Sequence, residues 1–535
     1  MVARGIHSRE AALRFLSPRL ADLRPPEGIA DMEVALVRIL RAIEQREKVG
    51  VFGDYDVDGV TSAAILGLTL RTYGLEVIPR IAKRSSGYGF SPEAAESFLA
   101  SGATLVLTGD CGTSDRDAIA LCRSRGVDVI VIDHHQVPSG ESLAIALLNP
   151  HRGDDKFPFK GLASCGVAFY LAAALRTRLR SMGHEKAMVH EPRSLLDLVA
   201  LGTIADMVPL VEENRILASV GLKELAKRER PGIAALASEA GISPGPLTST
   251  DVSFRLAPRL NAAGRIGDAQ VALDLFLADN HGRARELAAT LEALNRDRRV
   301  VQDRIWDEAL LEANRWENAP ALVLGAEGWH QGVVGIVAAK LVERFHKPAV
   351  VMGFTNGRGR GSARTVGGFN LYHSLSRCSQ HLEIFGGHAV AAGLSLSIKN
   401  LPDFREAFTA IAAEHFQASP RQESIEVDTS ARLSELDVVQ AEELDRMGPF
   451  GNANPDPLLV LDGIHTRSTR IVGGSHLQLT LADGATTLDA IAFGMGREDP
   501  GPGASLVALG IAEIDEFRGY RRPRFRLRHL IRKSS

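Results

Sequence analysis

Short runs of aliphatic and β-branched residues alternate with helix-length amphipathic stretches from Val49 to Leu148, and this alternation constrains the fold more than any other feature. The pattern predicts strands at 49–52, from 77, at 104–108, at 127–132 and at 144–148, with helices at 60–72 and 115–125. Ser91 followed by Pro92 predicts the N-cap and first turn of another helix. Strands and helices that alternate in this way form a parallel sheet covered on both faces, because each crossover helix packs against the sheet. The pattern therefore predicts an α/β domain.

The rest of the chain separates by pattern into further regions. Residues 164–225 are predicted to be mainly helical. Residues 283–314 show one long helical pattern, and a helix of about 30 residues, roughly 45 Å long, suits a connector between domains. A second α/β region follows, with strands at 321–324 and 349–352 around a helix at 333–342. From about 426 onward, short alternating stretches with Gly and Asp turns predict a small β domain.

The composition excludes several classes of protein. The 62 Lys and Arg residues nearly balance the 65 Asp and Glu residues, so the surface is not coated with positive charge, although a local basic groove remains compatible. The four cysteines form no Cys-x-x-Cys pair and predict neither a disulfide framework nor a zinc cluster. The first residues lack the apolar core of a signal peptide, and the apolar stretches are shorter than the roughly 20 residues that span a bilayer. We therefore expect a cytoplasmic protein with no membrane association.

The sharpest local feature is the segment Gly53–Gly59, in which Asp54, Asp56 and Asp58 alternate at the point where a strand ends and a helix begins. Three carboxylates this close repel one another, so a fold keeps them together with a strong local cation. An Asp-x-Asp-x-Asp-Gly segment also opens a calcium EF-hand loop. Here the twelfth position is Ile65 rather than a glutamate, and a strand rather than a helix precedes, so the EF-hand is excluded.

More acidic and imidazole side chains follow the neighbouring strands. Asp110 follows the strand at 104–108, Asp133, His134 and His135 follow the strand at 127–132, and Asp206 could reach the same edge from the helical region. The carboxyl ends of parallel strands form the crevice in which open α/β sheets bind ligands. Taken singly, each group has an ordinary explanation as a helix cap, a solvated histidine pair or a loop carboxylate. Their convergence on one edge instead favours a site for Mn²⁺ or Mg²⁺, and two such ions can clamp a phosphate ester.

Together these motifs resemble those of the DHH phosphoesterase superfamily, and most closely its bacterial single-stranded-DNA exonucleases. The resemblance rests on Asp133-His134-His135 and the loop before it, and further segments support it in order: 108–112, 201–210, 258–268, 328–336, 385–393 and 448–455. It implies a catalytic DHH domain at 49–282 after an N-terminal helical segment at 1–48. It also implies a connecting helix at 283–314, a DHHA1-type substrate-binding domain at 315–420 and a C-terminal OB-fold nucleic-acid-binding domain at 425–535.

The resemblance implies two divalent ions, Mn²⁺ or Mg²⁺, held by six residues: Asp54, Asp56, Asp58, Asp110, His134 and Asp206. Asp110 would bridge the ions and serve catalysis, and His135 would help to orient the nucleophile or the scissile phosphate. Two segments would hold the phosphates of the strand: Ser362 with Arg364, and Gly386, Gly387 and His388. Arg265 would bind the terminal 5′-phosphate. The family also has an arginine before the Gly-Tyr-Gly that follows the second strand, and here Arg80, Lys83 and Arg84 all remain candidates.

The activity implied by the resemblance is exonuclease digestion of single-stranded DNA from the 5′ end to 5′-mononucleotides, in DNA repair and recombination. We expect a monomer that works with a helicase and a single-strand-binding protein. Tyr520, Phe525 and the alternating Arg524, Arg526 and Arg528 suit a strand-tracking surface, although a basic edge strand that deters aggregation has the same pattern. Two alternatives remain open: a phosphoesterase for short oligonucleotides or cyclic dinucleotides, and a non-enzymatic DNA-binding scaffold.

Overall fold

The computed structural model describes residues 1–84, 87–418, 425–517 and 520–533. Helices α1 (Arg9–Leu16) and α2 (Met32–Gln45) precede a sheet of five parallel strands in the order β2-β1-β3-β4-β5. Its strands and crossover helices are, in chain order, β1 (Lys48–Gly53), α3 (Val57–Thr72), β2 (Glu76–Ile81), α4 (Pro92–Ala100), β3 (Leu105–Gly109), α5 (Arg116–Ser124), β4 (Asp128–Ile132) and β5 (Ala146–Leu148). The predicted parallel α/β sheet is confirmed.

Two apolar layers cover the sheet, one on each face. In β3, Leu105 and Leu107 face the core formed with α3, whereas Val106 faces the core formed with α4 and α5. Helix α3 begins three residues before the predicted start, because the side chain of Asp56 caps it by accepting a hydrogen bond from the Gly59 backbone N–H at 3.0 Å. Ser91 caps α4 as the sequence predicts.

A helical region packs against the first of these faces. Its helices are α6 (Ser164–Ser181), α7 (Glu185–Val189), α8 (Leu196–Ala205), α9 (Glu212–Lys227), α10 (Pro231–Glu239), α11 (Ser249–Asp251), α12 (Ala257–Ile266) and α13 (Gln270–Leu277). A π-helical segment, Val252–Leu256, joins α11 to α12. The long helix α14 (His281–Arg315) has 35 residues. Its N-terminal half packs into the first core through Leu287 and Leu291, and its C-terminal half packs into the next core through Ile305, so it connects the two regions as predicted.

The second α/β region has a mixed sheet in the order β6-β7-β8-β10-β9, in which only β6 and β7 are parallel. Its elements are β6 (Leu322–Glu327), α15 (Val334–Phe345), β7 (Ala349–Thr355), β8 (Arg358–Arg364), α16 (Leu371–Arg377), β9 (Ile384–Gly387), β10 (Ala391–Ser397) and α17 (Leu401–Ala418). All of the glycine-rich segment at 357–364 except Gly357 therefore lies in strand β8. Gly361 permits close packing in this strand, because a Cβ there would lie 2.5 Å from the Met352 side chain.

The C-terminal region is a five-strand barrel with one short added strand. Its elements are β11 (Thr429–Ser430), α18 (Val438–Asp445), β12 (Leu459–Val472), β13 (His476–Asp483), β14 (Thr486–Ala492), β15 (Ser505–Phe517) and β16 (Tyr520–Arg532). Pairing of β12 with β15 closes the barrel. Phe525 does not belong to the strand-tracking surface suggested for it, because its ring is fully buried in the barrel core, whereas Tyr520 is exposed. Among the helices of the described ranges, none is long and apolar enough to cross a membrane.

Candidate active site

The loop between β1 and α3 presents three carboxylates at the carboxyl edge of the first sheet. Asp54 is fully buried, and its Oδ2 atom has no hydrogen-bond partner among the described residues. Asp56 caps α3, and Asp58 lies in the first turn of that helix. The buried Asp58 carboxylate accepts hydrogen bonds from the backbone N–H groups of Ser164 at 2.8 Å and Cys165 at 2.9 Å, which begin α6. The helix terminus therefore fixes Asp58 at the edge of the sheet.

Two carboxylates from distant parts of the chain face one imidazole. Asp110 directly follows β3, and its φ of 62° is in the left-handed region, a backbone conformation that non-glycine residues seldom adopt. Oδ1 of Asp110 lies 3.3 Å from Nε2 of His134. Oδ2 of Asp206, at the end of α8, lies 3.5 Å from the same nitrogen. His134 thus links the sheet edge to the helical region.

The predicted ligands form one continuous centre. Three groups of side chains have ligand atoms that all lie within 4.8 Å of one another: Asp54 with Asp56 and Asp110, Asp58 with His134 and Asp206, and Asp110 with His134 and His135. Because Asp110 and His134 each belong to two groups, the three groups are joined. The structure brings together all six residues that the resemblance implies as metal ligands, and His135 lies with them.

The crowded, buried carboxylates of this centre favour the binding of a cation. Burial first, and neighbouring carboxylates second, raise the pKa values of Asp54 and Asp110 well above the ordinary range and that of Asp206 to about 9. Burial also raises the pKa of Asp58. Nε2 of His134 is buried without a hydrogen bond among the described residues, as is Oδ2 of Asp54. Crowded carboxylates with unpartnered ligand atoms fit divalent cations with a preference for oxygen, such as Mn²⁺ and Mg²⁺.

His135 is held by Asp133, which precedes it in the same motif, and by Tyr88, to which the sequence pattern gave no role. Nδ1 of His135 lies 2.8 Å from Oδ1 of Asp133, and the hydroxyl of Tyr88 lies 3.1 Å from the same ring while donating to the Asp110 carbonyl at 2.7 Å. Burial alone would raise the pKa of Asp133, but hydrogen bonds from His135 and Thr113 bring it below the ordinary range. Burial lowers the pKa of His135, but the hydrogen bond to Asp133 and the charges of nearby carboxylates together outweigh burial and leave this pKa raised. The only signal for Tyr88 was its position between two glycines.

Several arginines lie close to one another beside the carboxylate centre. Arg265, on α12, donates from Nη1 to the Gly332 carbonyl at 3.0 Å. Arg84 donates from Nε to the Gly264 carbonyl at 2.7 Å and stacks on the Tyr55 ring. Burial, and then the guanidinium groups of Arg84, Arg298 and Arg364, lower the pKa of Arg265 to about 10. Cations this close together favour the binding of an anion between them.

A cavity of about 560 Å³ adjoins these arginines between the helical region and the second α/β region. Lys83, Arg84 and Arg265 line it, together with His330 and Arg360. The guanidinium of Arg80 instead lies 3.4 Å from the Ser101 hydroxyl, on an exposed surface. Of the three candidates that the sequence left open, Lys83 and Arg84 therefore line the cavity.

The predicted phosphate-binding residues of the second region fall into two places. Ser362 and Arg364 lie on β8 against the first turn of α15, where a Cβ at Gly335 would be 3.1 Å from the Ser362 hydroxyl. The second segment is exposed at the turn after the edge strand β9, where the backbone N–H of His388 donates to the Ala391 carbonyl at 2.8 Å. Within the described ranges, the side chain of His388 forms no hydrogen bond with the carboxylates or arginines above, and the binding role of Gly386, Gly387 and His388 stays a prediction.

Comparisons with known proteins agree with this architecture. Family models match in order: the DHH family N-terminal domain over residues 48–203, the DHHA1 domain over 318–414 and the RecJ OB domain over 427–529. The single-stranded-DNA-specific exonuclease RecJ of Dickeya dadantii is 39% identical over 98% of this chain and 94% of its own length. The RecJ of Escherichia coli is 37% identical over 97% of this chain and 92% of its own length.

Solved structures show the same arrangement. RecJ of Thermus thermophilus in complex with Mn²⁺ has a TM-score of 0.84 and 28% identity, covering 100% of this chain and 75% of that one. The complex of the same protein with Mg²⁺ has a TM-score of 0.78, covering 100% of this chain and 74% of that one. Because the first two relatives are 39% and 37% identical over nearly the whole chain, this protein belongs to the RecJ family of DHH proteins.

Proposed function

We propose that this protein is a metal-dependent exonuclease that digests single-stranded DNA from the 5′ end and releases 5′-mononucleotides, in DNA repair and recombination. Its relatives bear the name single-stranded-DNA-specific exonuclease. The observation that carries the proposal is the carboxylate–histidine centre around Asp110, which lies beside an arginine-lined cavity. The match to the RecJ OB domain at 427–529 disfavours the alternative of a phosphoesterase for very short substrates.

The site has the ligands for two Mn²⁺ or Mg²⁺ ions. Asp54 and Asp56 would hold one ion, while Asp58, His134 and Asp206 would hold the other, and Asp110 would be shared between them. When bound, such ions supply an activated water and neutralise the charge that develops on the phosphate. The presence of every one of these ligands disfavours the scaffold alternative.

The chain's own residues position the substrate. His135 faces the centre with its ring fixed by Asp133 and Tyr88, and it would orient the scissile phosphate through a ring N–H. Arg265 and Arg84 would bind the terminal 5′-phosphate, because the cavity that they line lies beside the carboxylate centre. Arg364 and Ser362 would hold a neighbouring phosphate at the first turn of α15. This order of groups would place the first phosphodiester bond of the strand at the metal ions.

We also propose the domain bounds expected above: 1–48, 49–282, 283–314, 315–420 and 425–535. The matches at 318–414 and 427–529 lie inside the proposed substrate-binding and OB ranges. The match at 48–203 covers the first part of the catalytic range and begins one residue before it, which supports the assignment. The four cysteines are buried free thiols, which fits a reducing cytoplasm. A helicase and a single-strand-binding protein as partners, and a monomeric state, complete the proposal.

The experiment uses a 5′-phosphorylated single strand labelled at either end, incubated with Mn²⁺ or with EDTA. We expect the 5′ label to appear at once as a mononucleotide while the 3′-labelled strand shortens gradually. EDTA and the substitution Asp110→Ala should each abolish both signals. Release of the 3′ label first would refute the proposed direction, and intact strands bound tightly in Mn²⁺ would favour the scaffold.

A further inference from the structure

Two of the segments that carry the family resemblance, 201–210 and 448–455, lie far apart in the sequence and meet in the structure. The first segment contains the end of α8 and Asp206, one of the residues of the carboxylate–histidine centre. The second lies between α18 and β12 in the C-terminal region, and we name it the docking loop. The catalytic roles proposed above involve no residue of the docking loop, so its contact with the first segment has no explanation in them.

Asn452 of the docking loop forms hydrogen bonds to both ends of the turn that follows Asp206. Its side-chain Nδ2 donates to the Met207 carbonyl at 2.8 Å. Its backbone carbonyl accepts the N–H of Leu210, also at 2.8 Å. A single residue of the C-terminal region therefore fixes the backbone directly after Asp206.

Further contacts hold the docking loop itself against the catalytic domain. Gly451 packs so closely on Leu210 that a Cβ there would lie 2.7 Å from the Leu210 side chain. The hydroxyl of Ser249 donates to the Phe450 carbonyl at 2.6 Å. Because its neighbours are fixed in this way, Asn452 can act as a rigid partner for the turn.

The turn after Asp206 needs such a partner because its backbone is strained. Met207 has a φ of 60°, in the left-handed region that non-glycine residues seldom adopt. A backbone conformation of this kind persists only where the surrounding structure holds it. The side chain of Met207 is 72% exposed, so side-chain packing contributes little. Hydrogen bonds to the backbone, including the one from Asn452, therefore hold the turn.

Asp58 and Asp206 belong to the same ligand group but are held in different ways. The Asp58 carboxylate accepts two backbone N–H groups at the start of α6. Across the described ranges, no backbone N–H or hydroxyl donates to the Asp206 carboxylate, whose Oδ2 faces Nε2 of His134 at 3.5 Å. The position of this carboxylate thus depends on the backbone that carries it, and the adjacent turn fixes that backbone.

We propose that Asn452 is a positioning residue for the second metal ion: by holding the turn after Asp206, it makes the ligand group of Asp58, His134 and Asp206 depend on the docked C-terminal region. This inference rests on the two-ion site of the proposed function. Because coupling between two sites is reciprocal, binding of the second ion should in turn tighten the contact between the docking loop and the turn.

The test is calorimetric titration of the full-length protein with Mn²⁺. Asn452→Ala removes the amide that donates to Met207, and because this side chain is exposed the substitution leaves no cavity. We expect one ion to bind Asn452→Ala with wild-type affinity and the other roughly fivefold more weakly, the factor that one ordinary hydrogen bond is worth. Asn452→Gln, which keeps an amide donor, should recover most of that affinity.

Ser249→Ala is the matched control. It also removes one hydrogen bond between the catalytic domain and the docking loop, but at Phe450 rather than at the turn. We expect this variant to bind both ions with wild-type affinity.

Two further readouts separate positioning from a structural role. In Asn452→Ala, the Mn²⁺ concentration for half-maximal cleavage should rise by the same factor, and saturating Mn²⁺ should restore kcat with the KM for the strand unchanged. Hydrogen exchange of the Leu210 N–H, which bonds to the docking loop, should slow in the wild type when Mg²⁺ is added and should slow less in Asn452→Ala.

Unchanged Mn²⁺ affinities in Asn452→Ala would overturn the inference while the wild type still binds two ions. Equal weakening of both ions in that variant, or an equal effect of Ser249→Ala, would also overturn it, because either result indicates a general loss of docking. If the wild type binds fewer than two ions, the two-ion site of the proposed function fails instead, so the two failures are distinguishable.

Discussion

Oδ1 of Asp133 lies 2.8 Å from Nδ1 of His135, and the other carboxylate oxygen of Asp133 accepts the backbone N–H of Thr113 at 3.2 Å. One buried carboxylate therefore ties the end of β4 to the loop after β3 and fixes the plane of the imidazole. A ring held in this way can meet a phosphate without losing rotational freedom, which lowers the cost of reaching the reactive geometry. Asp133 is thus a positioning residue rather than a member of the predicted ligand set.

Replacing Asp133 with asparagine should lower kcat by roughly 10- to 100-fold, the usual effect of removing a partner that orients a ligand. KM should change little, because Asp133 lies behind His135 and does not face the substrate cavity. Steady-state kinetics on a single strand measure both constants. A fall in the number of bound Mn²⁺ ions for Asp133→Asn would contradict a purely positioning role.

Without metal, the stability of the protein should fall as the pH rises. Folding raises the pKa of Asp206 from its ordinary 3.8 to about 9, so the metal-free folded state binds this proton more tightly than the unfolded state. Stability from this group is complete below pH 3.8 and is lost as the pH rises toward 9. The melting temperature in EDTA should therefore fall between about pH 6 and about pH 9.

Mg²⁺ should suppress that fall, because it binds the deprotonated carboxylates. Asp206→Asn in EDTA should show a shallower pH dependence than the wild type. A wild-type melting temperature that rises with pH in EDTA would show that the carboxylates are not crowded as described.

Arg84 is the residue to test for binding of the 5′-phosphate, and Arg80 is its matched control. Arg84 lines the cavity with Arg265, whereas Arg80 contacts Ser101 on the exposed surface. Arg84→Gln should raise KM about tenfold for a 5′-phosphorylated strand and much less for a 5′-hydroxyl strand, as for one lost charge-assisted contact. Arg80→Gln should match the wild type on both strands. Equal effects of the two substitutions would refute the assignment of Arg84.

Arg215 ties three parts of the chain together. The side chain is buried, donates to the Met447 carbonyl at 2.8 Å and to the Phe15 carbonyl at 2.8 Å, and stacks on the Phe15 ring. Arg215→Ala should lower the free energy of unfolding by about 2 kcal/mol, because buried carbonyls lose charged donors. Chemical denaturation measures this, with the exposed Arg285→Ala as control. An unchanged midpoint for Arg215→Ala would contradict this role.

The acidic residues at the carboxyl edge of the first sheet could be predicted, because each one directly follows a strand in the sequence. Asp54, Asp110 and Asp133 each follow a strand that the apolar pattern identifies, so parallel strands alone bring them together. Asp206 comes from the helical region, so the sequence indicated only that it could reach this edge, and the resemblance to a family placed it in the ligand set. The choice between Arg80 and Arg84 depends on the path of the chain after β2, which no local pattern specifies.

The barrel shows where a local pattern misleads. Arg524, Phe525 and Arg526 alternate, so Phe525 faces the side opposite to the arginines, which is the barrel core. The pairing of Arg524 and Arg526 with Glu513 joins β16 to β15. The sequence of β16 alone, which has no acidic residue, cannot reveal that its charges are neutralised.

Counting the Mn²⁺ ions bound by one chain tests the continuous carboxylate–histidine centre most directly. We expect titration calorimetry of the full-length protein to show two Mn²⁺ sites, with one lost or greatly weakened in Asp110→Asn because Asp110 belongs to two ligand groups. Asp117→Asn, on the surface helix α5, should still bind two. A single site in the wild type, or two unchanged sites in Asp110→Asn, would contradict a shared two-ion centre at the edge of the first sheet.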